Sequence, residues 1–233
     1  MYVRLVFLCC VSLCFMACSS LVVKPDKIAS YNNGVAIMQD KQEKSKIQIE
    51  IAQETIGGFD NVPLILYVAL ENLSDEILQF STENISIVLN EKIIIKPYSF
   101  QALSRSNFSL SQALYDYGIE TTPPNLRVSD PFFSMNAYHI YPMPFMFDNG
   151  FFMAYRFYDY SFARANFYNM QLESFNARKF LISHYLRKNT LRKNDVKGGF
   201  ILIPYKNLKA GDMYIQVSAG SEIYRFLVKL SKK

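Results

Sequence analysis

Apolar residues recur at every second position over residues 47–51, where Ile47, Ile49 and Ile51 alternate with Gln48 and Glu50. That period predicts a strand with one wet face. Gly57, Gly58, Asp60 and Asn61 end it. Residues 62–71 are almost continuously apolar, as expected for a central strand buried on both faces. Residues 85–89 and 93–95 flank Asn90, Glu91 and Lys92 and predict a hairpin, closed off by Pro97. Residues 200–204, 212–218 and 223–230 read as strands again, the last two joined by a turn at Ala219, Gly220 and Ser221, with Gly198 and Gly199 marking the return to strand structure.

Between these blocks the pattern changes. Residues 109–117 predict a short helix stopped by Gly118. Residues 161–188 contain neither Gly nor Pro and place Phe167, Met170, Phe175, Leu181, Tyr185 and Leu186 at mostly helical intervals, which predicts one long helix. Arg187 and Lys188 stand where positive charge suits a helix C-terminus. Residues 131–160 are crowded with Phe, Tyr and Met but interrupted by Pro131, Pro142, Pro144 and Gly150, the mark of an irregular packed insertion. Strands on both sides of a mainly helical insertion imply a single sheet-based body whose first and last strands pair across the gap. The expected organisation is a leader at 1–17, a flexible, polar and turn-rich tether at 18–45, and one β domain at 46–233 with the helical and aromatic insertion at about 103–197.

The first twenty residues behave differently from the rest. One positive charge, Arg4, precedes an apolar run over 5–16, which closes on Ala17 and Cys18. The run is well short of the roughly 20 residues a membrane-spanning helix needs, so it predicts a cleaved export signal. All four cysteines, Cys9, Cys10, Cys14 and Cys18, lie in this stretch, which excludes a disulfide framework in the body. Phe15, Met16, Ala17 and Cys18 resemble the lipobox of bacterial lipoproteins. That resemblance implies cleavage before Cys18, a diacylglycerol and a fatty acyl chain such as palmitate on Cys18, and, with Ser19 where inner-membrane retention signals often place Asp, sorting to the outer membrane. The strand at 64–72 and the closing set at 200–204, 213–217 and 224–226 resemble the immunoglobulin-like antiparallel β-sandwich modules of small bacterial lipoproteins. The likeness rests on strand pattern, without the inter-sheet cysteines and buried Trp of antibody domains.

Composition and charge narrow the function classes. Formal net charge is +5 and the basic residues are scattered, apart from Arg187, Lys188, Arg192, Lys193 and Lys197. That pattern lacks the concentrated basic face of a nucleic-acid module. The two histidines, His139 and His184, fall in no metal-ligand spacing, and neither a G-x-S-x-G elbow nor a phosphate-cradling glycine loop is present. No cofactor is implied. Asp116, Glu120, Asp148, Asp159 and Glu173 lie near the aromatic residues, but no spacing marks two of them as the carboxylate pair a glycosidase needs.

Two segments carry candidate contacts. The aromatic belt either fills space against the helix and sheet or presents a partner-binding patch of Phe145, Phe147, Phe151, Phe152 and Tyr155. Arg187, Lys188, Arg192 and Lys193 form either a solvated helix end or a contact with an anionic membrane. The resulting expectation is a non-catalytic, lipid-anchored envelope protein acting as a structural or protein-interaction module, with an envelope protein as partner. The alternative is a lipid-anchored hydrolase or a carbohydrate- or peptidoglycan-binding protein that uses the aromatic insertion.

Overall fold

The computed structural model describes residues 20–58, 61–105, 110–119, 121, 142–144, 153–155 and 167–233. The chain is mainly β. Its strands are β1 (Ser20–Pro25), β2 (Ser30–Asn32), β3 (Val35–Lys41), β4 (Ser45–Ile51), β5 (Thr55–Gly57), β6 (Leu64–Asn72), β7 (Leu78–Phe80), β8 (Ile85–Leu89), β9 (Ile93–Ile95), β10 (Pro142–Pro144), β11 (Met153–Tyr155), β12 (Asn189–Leu191), β13 (Val196–Ile203), β14 (Gly211–Ala219) and β15 (Glu222–Lys232). The helices are α1 (Phe100–Arg105), α2 (Ser111–Asp116) and α3 (Phe167–His184). A six-stranded sheet runs β5-β1-β15-β14-β8-β9 and a five-stranded sheet runs β13-β6-β4-β3-β2. All of these strand pairs are antiparallel. Two short pairs, β7 with β12 and β10 with β11, complete the set.

The period-two alternation assembles the two sheets face to face. Tyr224, Phe226, Val228 and Leu230 of β15 and Met213, Ile215 and Val217 of β14 point to the same core as Ile47, Ile49, Leu66, Val68 and Ile201 from the other sheet. The outer face of the five-stranded sheet is covered as well. Ile65, Tyr67, Ala69, Phe200 and Leu202 pack there with Leu103, Leu114, Tyr117, Ala177 and Leu181 of the helical layer. β6 lies between the two cores and is buried from Leu64 through Leu70, which is why residues 64–70 contain no charged side chain.

The covered outer face corrects one expectation. Gln48 and Glu50 were expected on a wet face of β4, yet they are 0% and 1% exposed. β4 is an interior strand of its sheet, next to β6, and the layer above β6 covers both of them.

The segment expected as a tether is also part of the fold. β1 inserts between β5 and β15, pairing Leu21 with both Ile56 and Lys232, and it buries Leu21 and Val23. The Asp26 N–H donates to Leu227 of the six-stranded sheet, while the Ala29 N–H donates to Ile37 of the five-stranded one, so the chain changes sheets within three residues. β2 and β3 then form a hairpin in which Asn32 pairs with Val35. Asn33 and Gly34 both have positive φ, 47° and 86°, as a two-residue turn matched to strand twist requires.

Gly198 and Gly199 lie inside β13, which starts at Val196 rather than after them. A Cβ on Gly199 would stand 2.7 Å from the backbone of Leu186. The bare glycine lets the chain leaving α3 lie on β13, where the Leu186 N–H donates to the Phe200 carbonyl.

Candidate functional site

The candidate residues fall into four groups: the chain around Cys18, the basic segment, the aromatics, and two sets of buried polar side chains.

Cys18 lies outside the described residues. The described chain starts at Ser20, already in β1, where it pairs with Gly57 on one side and receives a hydrogen bond from the Lys233 N–H on the other (3.2 Å). Position 18 is therefore two residues from a strand held by neighbours on both edges.

Arg187, Lys188, Arg192 and Lys193 are all exposed, but they do not form one patch. The Arg187 guanidinium sits 4.6 Å above the ring of Phe100 and donates to the Ile182 carbonyl near the end of α3. Arg192 and Lys193 follow β12, where Lys193 Nζ pairs with Asp75 at 2.9 Å and the Arg192 N–H donates to Asp195. Asn72, fully buried, holds this corner by donating to the carbonyls of Glu76 and Leu191. Lys44 joins the same corner to Glu222 at the start of β15, whereas Ser20 pairs beside its end. β15 has 11 residues, roughly 33 Å of strand at about 3.3 Å per residue, so this corner and Ser20 lie by opposite ends of it.

Of the aromatics expected either to fill space or to form a partner-binding patch, Phe145, Phe147, Phe151 and Phe152 lie outside the described residues. Tyr155 closes β11, and its backbone is paired with Pro142.

Ser45, Glu222 and Tyr224 bring a hydroxyl, a carboxylate and a phenol together. Ser45 Oγ donates to Glu222 Oε2 (2.5 Å) and lies 2.7 Å from the Tyr224 hydroxyl, which donates to the Ser45 carbonyl (2.7 Å). The Lys44 N–H binds the other carboxylate oxygen. Burial works to raise the Glu222 carboxyl, but hydrogen bonds from Ser45, Tyr224 and the Lys44 and Glu43 backbone outweigh it and hold the group below its usual range. Burial pushes Tyr224 up to about 12. Ser45 is 0% exposed and faces a carboxylate of lowered basicity, so the trio is a poor nucleophile system. It works as a pin between β4 of one sheet and β15 of the other.

Glu50 is the second buried group. Its Oε1 accepts from Gln48 Nε2 (2.6 Å), and Gln48 Oε1 accepts from Gln39 Nε2 (2.5 Å). Burial raises its carboxyl to about 8, with the Gln48 hydrogen bond opposing only in part, so it carries a proton at neutral pH. Burial, followed by the proximity of Glu50, also raises the phenols of Tyr67 and Tyr117. Tyr117 spans the layers, its hydroxyl lying 2.9 Å from the Glu50 carbonyl and 3.0 Å from that of Ile65. A protonated carboxyl here is a hydrogen-bond donor enclosed beneath the helices. Reading β4 alone misses it; the doubly apolar β6 in the neighbouring sequence was the signal that both faces of this sheet are covered.

Among the described residues no group of three or more His, Cys, Asp or Glu side chains is placed to hold a metal ion, and no helix is long and apolar enough to cross a membrane. His184 stacks on Phe180 with ring centroids 4.3 Å apart, and His139 lies outside the described residues. No family model, curated protein or solved structure matches the chain.

Proposed function

We propose that the chain is a lipid-anchored protein of a bacterial envelope that acts as a non-catalytic structural or protein-interaction module. The sulfur of Cys18 carries the lipid and the outer membrane is the destination. One observation carries this reading: a short apolar leader ends in Ala17 and Cys18, and at Ser20, two residues on, the chain is already in an interior strand. Two or more acyl chains, at about 0.8 kcal/mol per buried CH₂, hold such a body on a membrane stably, whereas one chain is marginal.

The immunoglobulin-like reading of the body is supported at the level of layers, because two antiparallel sheets share one core. Six and five strands exceed the seven to nine of immunoglobulin domains. We therefore extend the likeness to the layering and not to the strand order.

Envelope fractionation tests the anchoring. The parent protein is expected in the membrane fraction and to be released by detergent but not by high salt. Cys18→Ala is expected to leave an unprocessed precursor. A parent protein found entirely in the soluble fraction would sink the proposal.

A further inference from the structure

The outer face of the six-stranded sheet differs in kind from that of its partner, which the helices cover. With Phe226 and Val228 turned into the core, β15 points Arg225, Leu227 and Lys229 outward. Leu227 pairs with Tyr214, Tyr214 with Val88, and Val88 with Ile94. These four form an apolar row across four strands, three of them half-buried and Ile94 68% exposed at the sheet edge. Ile223, 57% exposed, lies farther along the same face of β15. Beside the row, Lys24 pairs with Lys229, and Arg225 lies on the other flank; against these three cations the strands turn one acid, Asp212, outward. The row ends at Ile94 on β9, an edge strand with no further strand beside it among the described residues, and an exposed apolar edge invites unwanted strand pairing unless something covers it.

We propose that this face lies flat on the anionic phospholipid headgroups of the bilayer that holds the Cys18 lipid. The inference rests on the anchoring proposed above and goes beyond it by assigning an orientation. Cys18 is two residues from Ser20, which limits the backbone between them to about 7 Å of extended chain. Ser20, Val22 and Lys24 alternate with the buried Leu21 and Val23, so the chain enters the fold on the strand that carries part of the basic rim. Apolar side chains rimmed by Lys and Arg are the composition that an interfacial surface uses against anionic lipid. Arg192 and Lys193 precede β13 in a turn tied to Asn72 at the end of β6, so they belong to the layer of the five-stranded sheet and are thereby assigned away from the membrane.

The test uses the full acylated protein, purified from envelopes and reconstituted in phosphatidylcholine vesicles containing phosphatidylglycerol. All cysteines of the sequence lie at or before position 18, so single spin labels at Ile94→Cys, Ile223→Cys and Lys193→Cys are unambiguous. A nickel chelate on the lipid headgroups should relax the labels at 94 and 223 several-fold more than the label at 193. The combined Lys24→Glu, Arg225→Glu and Lys229→Glu protein should lose that difference while keeping its circular dichroism and remaining on the vesicles. Equal relaxation at all three positions, or strongest relaxation at 193, overturns the proposal. So does protection at 94 and 223 that appears only when envelope proteins are added, which would assign the face to a protein partner. A parent protein that carries no acyl chain and does not remain with the vesicles overturns the anchoring itself, and the orientation with it.

Discussion

Burial raises the Glu50 carboxyl from its ordinary value of 4.5 to about 8 in the folded chain. Between those values the folded state binds a proton that the unfolded state has lost. Its contribution is therefore complete below about pH 4.5 and declines as pH rises through 8, by at most about 1.4 kcal/mol per pH unit. Glu50→Gln keeps a hydrogen-bonding side chain and removes the titration. Urea unfolding should show the parent losing stability from pH 5 to pH 9 with a slope that the variant lacks, and the variant being the more stable of the two at pH 9. Parallel pH profiles would contradict the burial of this carboxyl. Glu222 works in the opposite sense: its lowered value means that its contribution is present above the ordinary carboxylate range and is lost on acidification. Tyr224→Phe removes the hydroxyl that holds the Ser45 carbonyl and should cost about 1–2 kcal/mol. A double-mutant cycle with Ser45→Ala should give less than the sum of the single losses, because the two hydroxyls serve one cluster.

Elements were legible where their periodicity matched a single environment. β14 and β15 alternate cleanly because one face meets the core and the other does not, and β6 is apolar throughout because both its faces are covered. The hairpin of β8 and β9 and helix α2 fall where their turn residues and Gly118 put them. β1, β2 and β3 are not legible as strands, because their short apolar runs over 21–23 and 35–38 sit among Pro25, Asp26, Lys27, Asn32, Asn33, Gly34 and the charged run over 40–44, which together suit a linker. Val23→Asp separates the two descriptions. A residue in a tether would tolerate it, whereas Val23, 4% exposed, should lose several kcal/mol by burying an unpaired charge. Gly199 marks a close approach to the Leu186 backbone rather than the break before a strand. Gly199→Ala should lower stability by roughly 1–3 kcal/mol through crowding against Leu186, measured as a fall in Tm, and a neutral result would contradict the docking of the α3 exit on β13. The basic run is continuous in sequence, yet a strand and a turn divide it, sending Arg187 to a helix end and Lys193 to Asp75.

At the scale of the whole molecule, the entry of the chain decides the geometry. A long tether would let the body tumble and make its surface charges equivalent with respect to the membrane. In the orientation proposed above, strand β1, starting at Ser20, removes that freedom, and one face of one sheet becomes the near side. Everything proposed about location and orientation then depends on the chemistry of one sulfur atom. Intact mass and fragmentation of the N-terminal peptide, taken from protein purified out of envelopes, tests this most directly. The account predicts a chain beginning at Cys18 with a diacylglyceryl group on its sulfur and further acyl mass; a chain whose Cys18 is a free thiol, or whose first residue lies beyond it, would contradict the account.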